Sequence, residues 1–143
     1  YVGIVPSKET KTGWQVIYFL KVSQNPIGKV VLEAIKNRLG CGYIKANSLT
    51  DNTDRSLAYV VRDFPSLRDK VILFFEGKLV IKKDAFEKFK QVLKLVEEKR
   101  HFTAEGITKI LDIAYSMNTQ KRKVKKQLIL EAYLKLESSQ AIR

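Results

Sequence analysis

The chain is predicted to be an α+β domain: a four-stranded antiparallel, curved sheet with helices packed on one face, in the order ββαββα plus C-terminal helices. Three observations carry this. Two strand-like runs precede the first helical pattern. A glycine-bounded junction, Leu39-Gly40-Cys41-Gly42-Tyr43-Ile44-Lys45, then returns the chain from helix to strand. From residue 82 onward apolar residues recur at helical spacing.

Taken in order, residues 1–5 read as a short strand closed by Pro6 and the polar turn Ser7 to Gly13. Residues 14–23 are apolar on both faces, as expected of an inner strand covered on one side by helices. Trp14, Val16, Tyr18, Leu20 and Val22 share one face. Gln15, Ile17, Phe19, Lys21 and Ser23 share the other, which is assigned to the open side because it is more polar at its ends. Asn25-Pro26 is a cap followed by proline at the first helical position, and Ile27, Val31, Ala34, Ile35 and Leu39 follow at helical spacing. Gly40 and Gly42 stop that helix, because glycine tolerates the left-handed cap other residues resist. Residues 42–47 and 55–62 are the third and fourth strands, joined by the turn 48–54.

Pro65 begins a short helix with Leu67, Val71, Phe74 and Phe75, ended by Gly77. Lys82 or Lys83 opens a longer one that buries Phe86, Phe89, Val92, Leu93 and Val96. Thr103 caps the next, with Ile107, Ile110, Leu111 and Ala114 inside. A basic run, Lys121 to Lys126, leads into a last amphipathic helix with Val124, Leu128, Ala132 and Leu136 on its apolar stripe. The organisation is therefore a domain over 1–118 and a basic helical extension over 119–143.

Length and composition bound the function. With 143 residues, 45% of them hydrophobic, the chain can build a core and is not disordered by composition. Lys and Arg number 27 against 15 Asp and Glu, a net charge of +12 that favours a polyanionic partner. The alternative is a basic surface kept for solubility. No apolar run approaches the ~20 residues that span a membrane, so no membrane partner is expected. The single cysteine, Cys41, rules out an internal disulfide and a Cys-rich zinc site; between its glycines it reads as a small packing residue. No secretory signal stands at the start. Tyr1 opens directly into a strand pattern without a Met, the reading of a processed or truncated product.

On the open face this register offers Tyr1, Gly3, Val5 and Ser7; Gln15, Ile17, Phe19 and Lys21; Tyr43, Lys45 and Asn47; and Ala58, Val60 and Arg62. Gln15, Lys21, Lys45, Asn47 and Arg62 can hydrogen-bond to base edges in a major groove, and Tyr43 adds an aromatic to the same strand. Val5, Ile17, Phe19, Ala58 and Val60 cannot, so the face either reads DNA through few contacts and shape or takes a protein or splayed RNA bases. Lys121, Arg122 and Lys123, with Lys82, Lys83, Lys99 and Arg100, would contact phosphates. For any one of them a solvated surface charge is the competing reading. His101, the only histidine, follows two cations at a helix end and reads as a surface residue. Glu97-Glu98 and Asp51/Asp54 do not make a metal site, and no phosphate loop, Ser-His-Asp set or dinucleotide fingerprint occurs. No complete active site is legible.

The ordered pieces Lys11-Thr12-Gly13-Trp14-Gln15-Val16, Lys21-Val22-Ser23-Gln24, Leu39-Gly40-Cys41-Gly42-Tyr43-Ile44, Phe74-Phe75-Glu76 leading to Ile81-Lys82, Glu97 to Ile107, and Ser116-Met117-Asn118 resemble the LAGLIDADG homing endonucleases, especially C-terminal half-domains from organellar introns. The resemblance runs from Tyr1 to about Asn118. It implies a homing-endonuclease-like half-domain whose strands form a saddle on double-stranded DNA, paired with a second half through helices that bear the family motif. It also implies that an acidic residue ending each motif helix holds a divalent metal, normally Mg²⁺, for phosphodiester hydrolysis. That helix would stand immediately before Tyr1 and is not among the 143 residues, so no metal ligand is assigned. By the same resemblance Gln24 matches a residue near the metal-bound water, and Lys82 the basic residue that steadies the scissile phosphate. A mitochondrial or other organellar location follows from it too.

Two functions therefore stand. One is the nucleic-acid-binding half of a DNA endonuclease, cutting with Mg²⁺ if the motif helix is supplied upstream or by a partner. The other is a catalytically inactive descendant, an RNA-binding maturase-like or ribonucleoprotein component such as a mitochondrial ribosome part. The missing carboxylate and the apolar sheet positions favour the second; Gln24 and Lys82 favour the first. A protein-docking scaffold is a third class, disfavoured by the charge.

Overall fold

The computed structural model describes residues 1–117 and 124–141. It is an α+β protein built on antiparallel pairing, and it divides into two compact units. One comprises Tyr1 and Tyr18–Val80; the other comprises Val2–Ile17 and the chain from Ile81 onward.

The first unit holds a three-stranded sheet in the order β3 (Leu20–Gln24), β5 (Leu57–Val61), β4 (Tyr43–Ala46). Leu20 pairs with Val61 and Gln24 with Leu57; Tyr43 pairs with Val60 and Ala46 with Leu57. Opposed residues share a face, so two rows, Lys21/Val60/Tyr43 and Ser23/Ala58/Lys45, lie on one side. Val22/Tyr59/Ile44 and Gln24/Leu57/Ala46 lie on the other, and α1 (Lys29–Leu39) packs there against all three strands. The Tyr59 hydroxyl donates to the Cys41 carbonyl at 2.9 Å and lies 3.8 Å from its Sγ. Burial, then the Cys41 contact, push that phenol well above its usual range. Cys41 is half-buried packing, as its setting between glycines implies.

Asn25 caps the entry to α1, its side-chain oxygen accepting from Gly28 N–H at 3.0 Å. At the exit Gly40 and Gly42 both adopt positive φ, 64° and 76°. Lys70 reaches back to the Gly40 carbonyl at 2.7 Å, placing a cation on the helix C-terminus. Lys70 belongs to a continuous helical stretch made of α2 (Phe64–Ser66), a π-helical segment Leu67–Ile72, and α3 (Leu73–Phe75). Asp63 caps it through Ser66 N–H, and Leu67 and Val71 are its buried residues.

The second unit contains the hairpin of β1 (Val2–Pro6) and β2 (Trp14–Tyr18, whose last residue falls in the first unit), closed by Ser7 N–H to the Gly13 carbonyl. It also contains α4 (Lys83–Glu97), α5 (Ala104–Met117) and α6 (Lys126–Ala141). Helix α5 packs on β1, α4 and α6. Thr103 Oγ1 caps α5, accepting Gly106 N–H at 3.1 Å. Among the described residues no helix is long and apolar enough to cross a membrane.

Three expectations change. The run 14–23 is not one strand: it divides at Phe19, whose N–H and C=O bond instead with Tyr1, so that the expected single four-stranded sheet is a two-stranded β1-β2 sheet and a three-stranded β3-β5-β4 sheet. The stripe of α1 shifts. Leu32 and Leu39 are buried, whereas Ile27 is 89% and Val31 48% exposed and Ala34 is exposed. The apolar triplet Val30-Val31-Leu32 let the periodicity be read one residue early. In α6 the buried pair is Ile129 and Tyr133, with Leu128 56% exposed, because polar and apolar residues are interleaved around that helix and it carries little phase information. In α4 and α5 the stripes fall as read, apart from Val96, which is half-buried.

Candidate nucleic-acid interface

The face of β3-β5-β4 opposite α1 gathers most of the residues read as nucleic-acid contacts. Lys21, Tyr43 and Lys45 stand on it by register, and Phe19 and Arg62, which touch each other, follow just beyond the Leu20/Val61 pair. The Arg62 guanidinium lies 5.1 Å from the Phe19 ring centroid, and Tyr1 stacks on the same Phe19 ring at 4.8 Å between centroids. Arg62 is thus held as an oriented cation, in a contact sequence alternation did not reveal.

Ala58 and Val60 were expected to present apolar groups on this face. They do not: both are buried, 0% and 1% exposed. Strand β5 is the middle strand, and its short side chains are flanked in register by Lys21, Tyr43, Ser23 and Lys45, which are longer or stand at the rim. What this sheet shows to solvent is therefore more polar than its sequence alternation implied.

At one end of the face Asn47 follows β4, paired through its N–H with the Ser56 carbonyl at 2.9 Å. Its Oδ1 accepts from Ser23 Oγ at 3.2 Å and its Nδ2 donates to Asp54 Oδ2 at 3.2 Å. Asp54 also accepts Ser56 N–H at 2.8 Å. The Ser56 hydrogen bonds, then the Asn47 amide and the Lys21 charge, hold the Asp54 carboxyl below the usual carboxylate range. Asp51 does similar work in the same turn, accepting both the N–H and the hydroxyl of Thr53. These acids build the turn. Ser23 and Asp54 are the site residues sequence reasoning missed; the Asp-x-Ser spacing of an Asx-turn at Asp54 was the available signal.

The remaining candidates stand elsewhere. Gln24 is exposed at the end of β3 on the α1 side, its side chain against Gly28. Gln15 is exposed on β2 and Lys82 is exposed just before α4; both belong to the other unit. Lys121, Arg122 and Lys123 lie outside the described residues. His101 departs from the surface reading. It is half-buried, its ring 3.9 Å from that of Phe102, and its Nδ1 is buried without a hydrogen-bond partner. Burial lowers its pKa, opposed by a hydrogen bond with the Leu95 backbone. Among the described residues no three His, Cys, Asp or Glu side chains come together as a metal site. The described residues alone do not assemble a Mg²⁺ site.

Residues 1–93 match the model of the LAGLIDADG endonucleases. The chain belongs to that family. A curated relative, the probable intron-encoded endonuclease 2 of Neurospora crassa, is 30% identical over 127 residues, taking in 82% of this chain and 26% of its own length. The chain thus spans about a quarter of that relative. The crystal structure of the homing endonuclease I-TnaI is similar at 34% identity, covering 92% of this chain and 87% of that one, with a TM-score of 0.79. The archaeal intron-encoded homing endonuclease I-Vdi141I, solved in complex with DNA, shares the fold at 24% identity, with 96% and 87% covered and a TM-score of 0.81.

Proposed function

We propose that this chain is the nucleic-acid-binding half-domain of a LAGLIDADG homing endonuclease and that its ligand is double-stranded DNA. The observation that carries the reading is one sheet face, opposite α1, on which Lys21, Tyr43 and Lys45 stand in register around a buried middle strand, with Asn47 just beyond β4 and Arg62 just beyond β5. Cations on such a face take phosphates, while amide and guanidinium groups between them reach base edges. The family, and a relative of the same fold solved on DNA, support it. The RNA-binding alternative leaned on an apolar sheet face, and the burial of Ala58 and Val60 removes two of its five apolar positions.

Cleavage with Mg²⁺ belongs, in this reading, to the assembly that includes an acidic motif helix, whether supplied upstream of Tyr1 or by a second half-domain. Gln24 and Lys82 are its supporting residues. Residues 119–143 act as a basic extension whose Lys121, Arg122 and Lys123 add phosphate contacts, and the protein works in a mitochondrion or another organelle.

Affinity for a duplex pool should fall with salt, and Lys21→Ala, Lys45→Ala and Arg62→Ala should each shallow the log–log slope by about one where the side chain meets a phosphate. A slope indifferent to all three, or firmer binding to structured RNA than to duplex, would defeat the reading. For the complete assembly, Mg²⁺-dependent nicking should be lost in Lys82→Ala.

A further inference from the structure

The Ser23–Asn47–Asp54 cluster does more than close a turn. Strands β3 and β4 are about 10 Å apart across β5, yet a serine on one and an asparagine beyond the other are hydrogen bonded at 3.2 Å. This works because Ala58, opposite Ser23 in the middle strand, has only a methyl group. The second bond, Asn47 Nδ2 to Asp54 at 3.2 Å, settles which end of the amide is which, because an ionised carboxylate only accepts. The Asn47 side chain is therefore oriented before any ligand arrives. Its two bonds leave one Nδ2 proton and one Oδ1 lone pair unused. One donor and one acceptor on a planar amide are what the major-groove edge of adenine pairs with, through N7 and the N6 amino group.

Resting on the reading that this face binds duplex DNA, we infer that Asn47 is a pre-oriented adenine reader, with Ser23 and Asp54 as its positioning residues. Ser23 and Asp54 do not touch the base; they hold the amide so that its remaining donor and acceptor face the groove. An asparagine left to rotate would present either end, and would tolerate bases offering only an acceptor.

The test is selection of a random-sequence duplex pool on the full 143-residue chain, followed by sequencing and a salt titration of total binding. One position should prefer adenine by at least about fivefold. Asn47→Ala should flatten that position alone, leaving the others and the salt slope in place. Asp54→Ala and Ser23→Ala should blunt the same position. Asn47→Asp combined with Asp54→Asn keeps a hydrogen bond between the two sites but makes position 47 acceptor-only, and should move the preference toward cytosine. A purely structural cluster would not produce that switch. The inference falls if the adenine preference survives Asn47→Ala, or if all positions flatten together in Asn47→Ala and no switch appears in the double variant. Failure to bind any duplex would overturn the DNA reading itself, and this inference with it.

Discussion

Replacing Gly106 by alanine sets helix propensity against packing. Gly106 is buried in the first turn of α5, where an alanine should stabilise by about 1 kcal/mol on propensity alone. A Cβ there would lie 1.9 Å from the Arg100 carbonyl oxygen and 2.5 Å from its carbon. That carbonyl cannot retreat cheaply, because it accepts both Thr103 N–H at 3.0 Å and Thr103 Oγ1 at 2.9 Å. Thr103 Oγ1 in turn caps Gly106 N–H. Relieving the overlap breaks about two hydrogen bonds worth ~1 kcal/mol each, puts at risk a cap worth ~1 kcal/mol, and leaves residual overpacking of ~1 kcal/mol or more. The net expectation for Gly106→Ala is a loss of about 3 kcal/mol. For 143 residues, with an unfolding entropy near ~0.3 kcal/mol/K, the melting temperature should drop by roughly 10 °C. Thermal denaturation followed by circular dichroism measures this, with Gly77→Ala as the control. Gly77 has φ +71° and nothing within 4 Å of an added Cβ, so only the left-handed backbone, ~1 kcal/mol, is at stake. An unchanged or raised melting temperature in Gly106→Ala would refute the reasoning.

Gly42→Ala should be costlier than Gly40→Ala although both sites have positive φ. At Gly42 the added carbon meets the Val60 carbonyl at 2.6 Å and Tyr59 Cε2 at 2.7 Å, whereas at Gly40 the nearest atom is Lys70 Nζ at 3.7 Å. Urea melts should show a loss of about 3 kcal/mol at Gly42 and about 1 kcal/mol at Gly40; equal losses would refute the packing account. His101 makes stability fall with acid. Its folded pKa is depressed, chiefly by burial, so its contribution is whole above the unfolded value near ~6.5 and is lost as pH falls from there through the folded value. Melting temperatures between pH 7 and pH 5 should therefore decline less in His101→Gln than in the parent, and identical slopes would count against the assignment.

The parts of the fold that were legible are those where one periodicity dominates. Helices α4 and α5 concentrate their apolar residues on the inner stripe, so Phe86, Phe89, Ile107 and Ile110 identify it. Helix α1 has three apolar residues in a row, so its stripe was placed at Val31 rather than Leu32 although Leu39 was found, and α6 interleaves polar and apolar residues, so that helix was found and its phase missed. The division at Phe19 left no mark on the sequence, because a strand that changes partners keeps its alternation of side chains. In the site, period two brought Lys21, Tyr43, Lys45, Asn47 and Arg62 to one face from sequence alone. Invisible were the properties that depend on which strand lies between which: the burial of Ala58 and Val60, the Ser23–Asn47 bond across the sheet, and the Arg62–Phe19 contact.

That strand order also separates the residues that keep the sheet folded from those that meet a ligand. Ala58, Tyr59, Val60 and Val61 are buried on both faces of β5, so substitution there removes packing contacts and lowers stability. Lys21 and Ser23 on β3, with Tyr43 on β4, are exposed, and Lys45 is half-buried at the rim; changes there leave the packing of β5 in place. The two sets are nonetheless tied by register. A slip of one residue between β3 and β5 would turn Lys21 and Ser23 toward α1 and bring Leu20 and Val22 to the ligand side. The half-burial of Leu20 and Val22 on the α1 side is therefore what keeps Lys21 facing outward. The binding face is specified by the core behind it, and a polar substitution at Val22 should disturb recognition through the register even though that side chain never approaches the ligand.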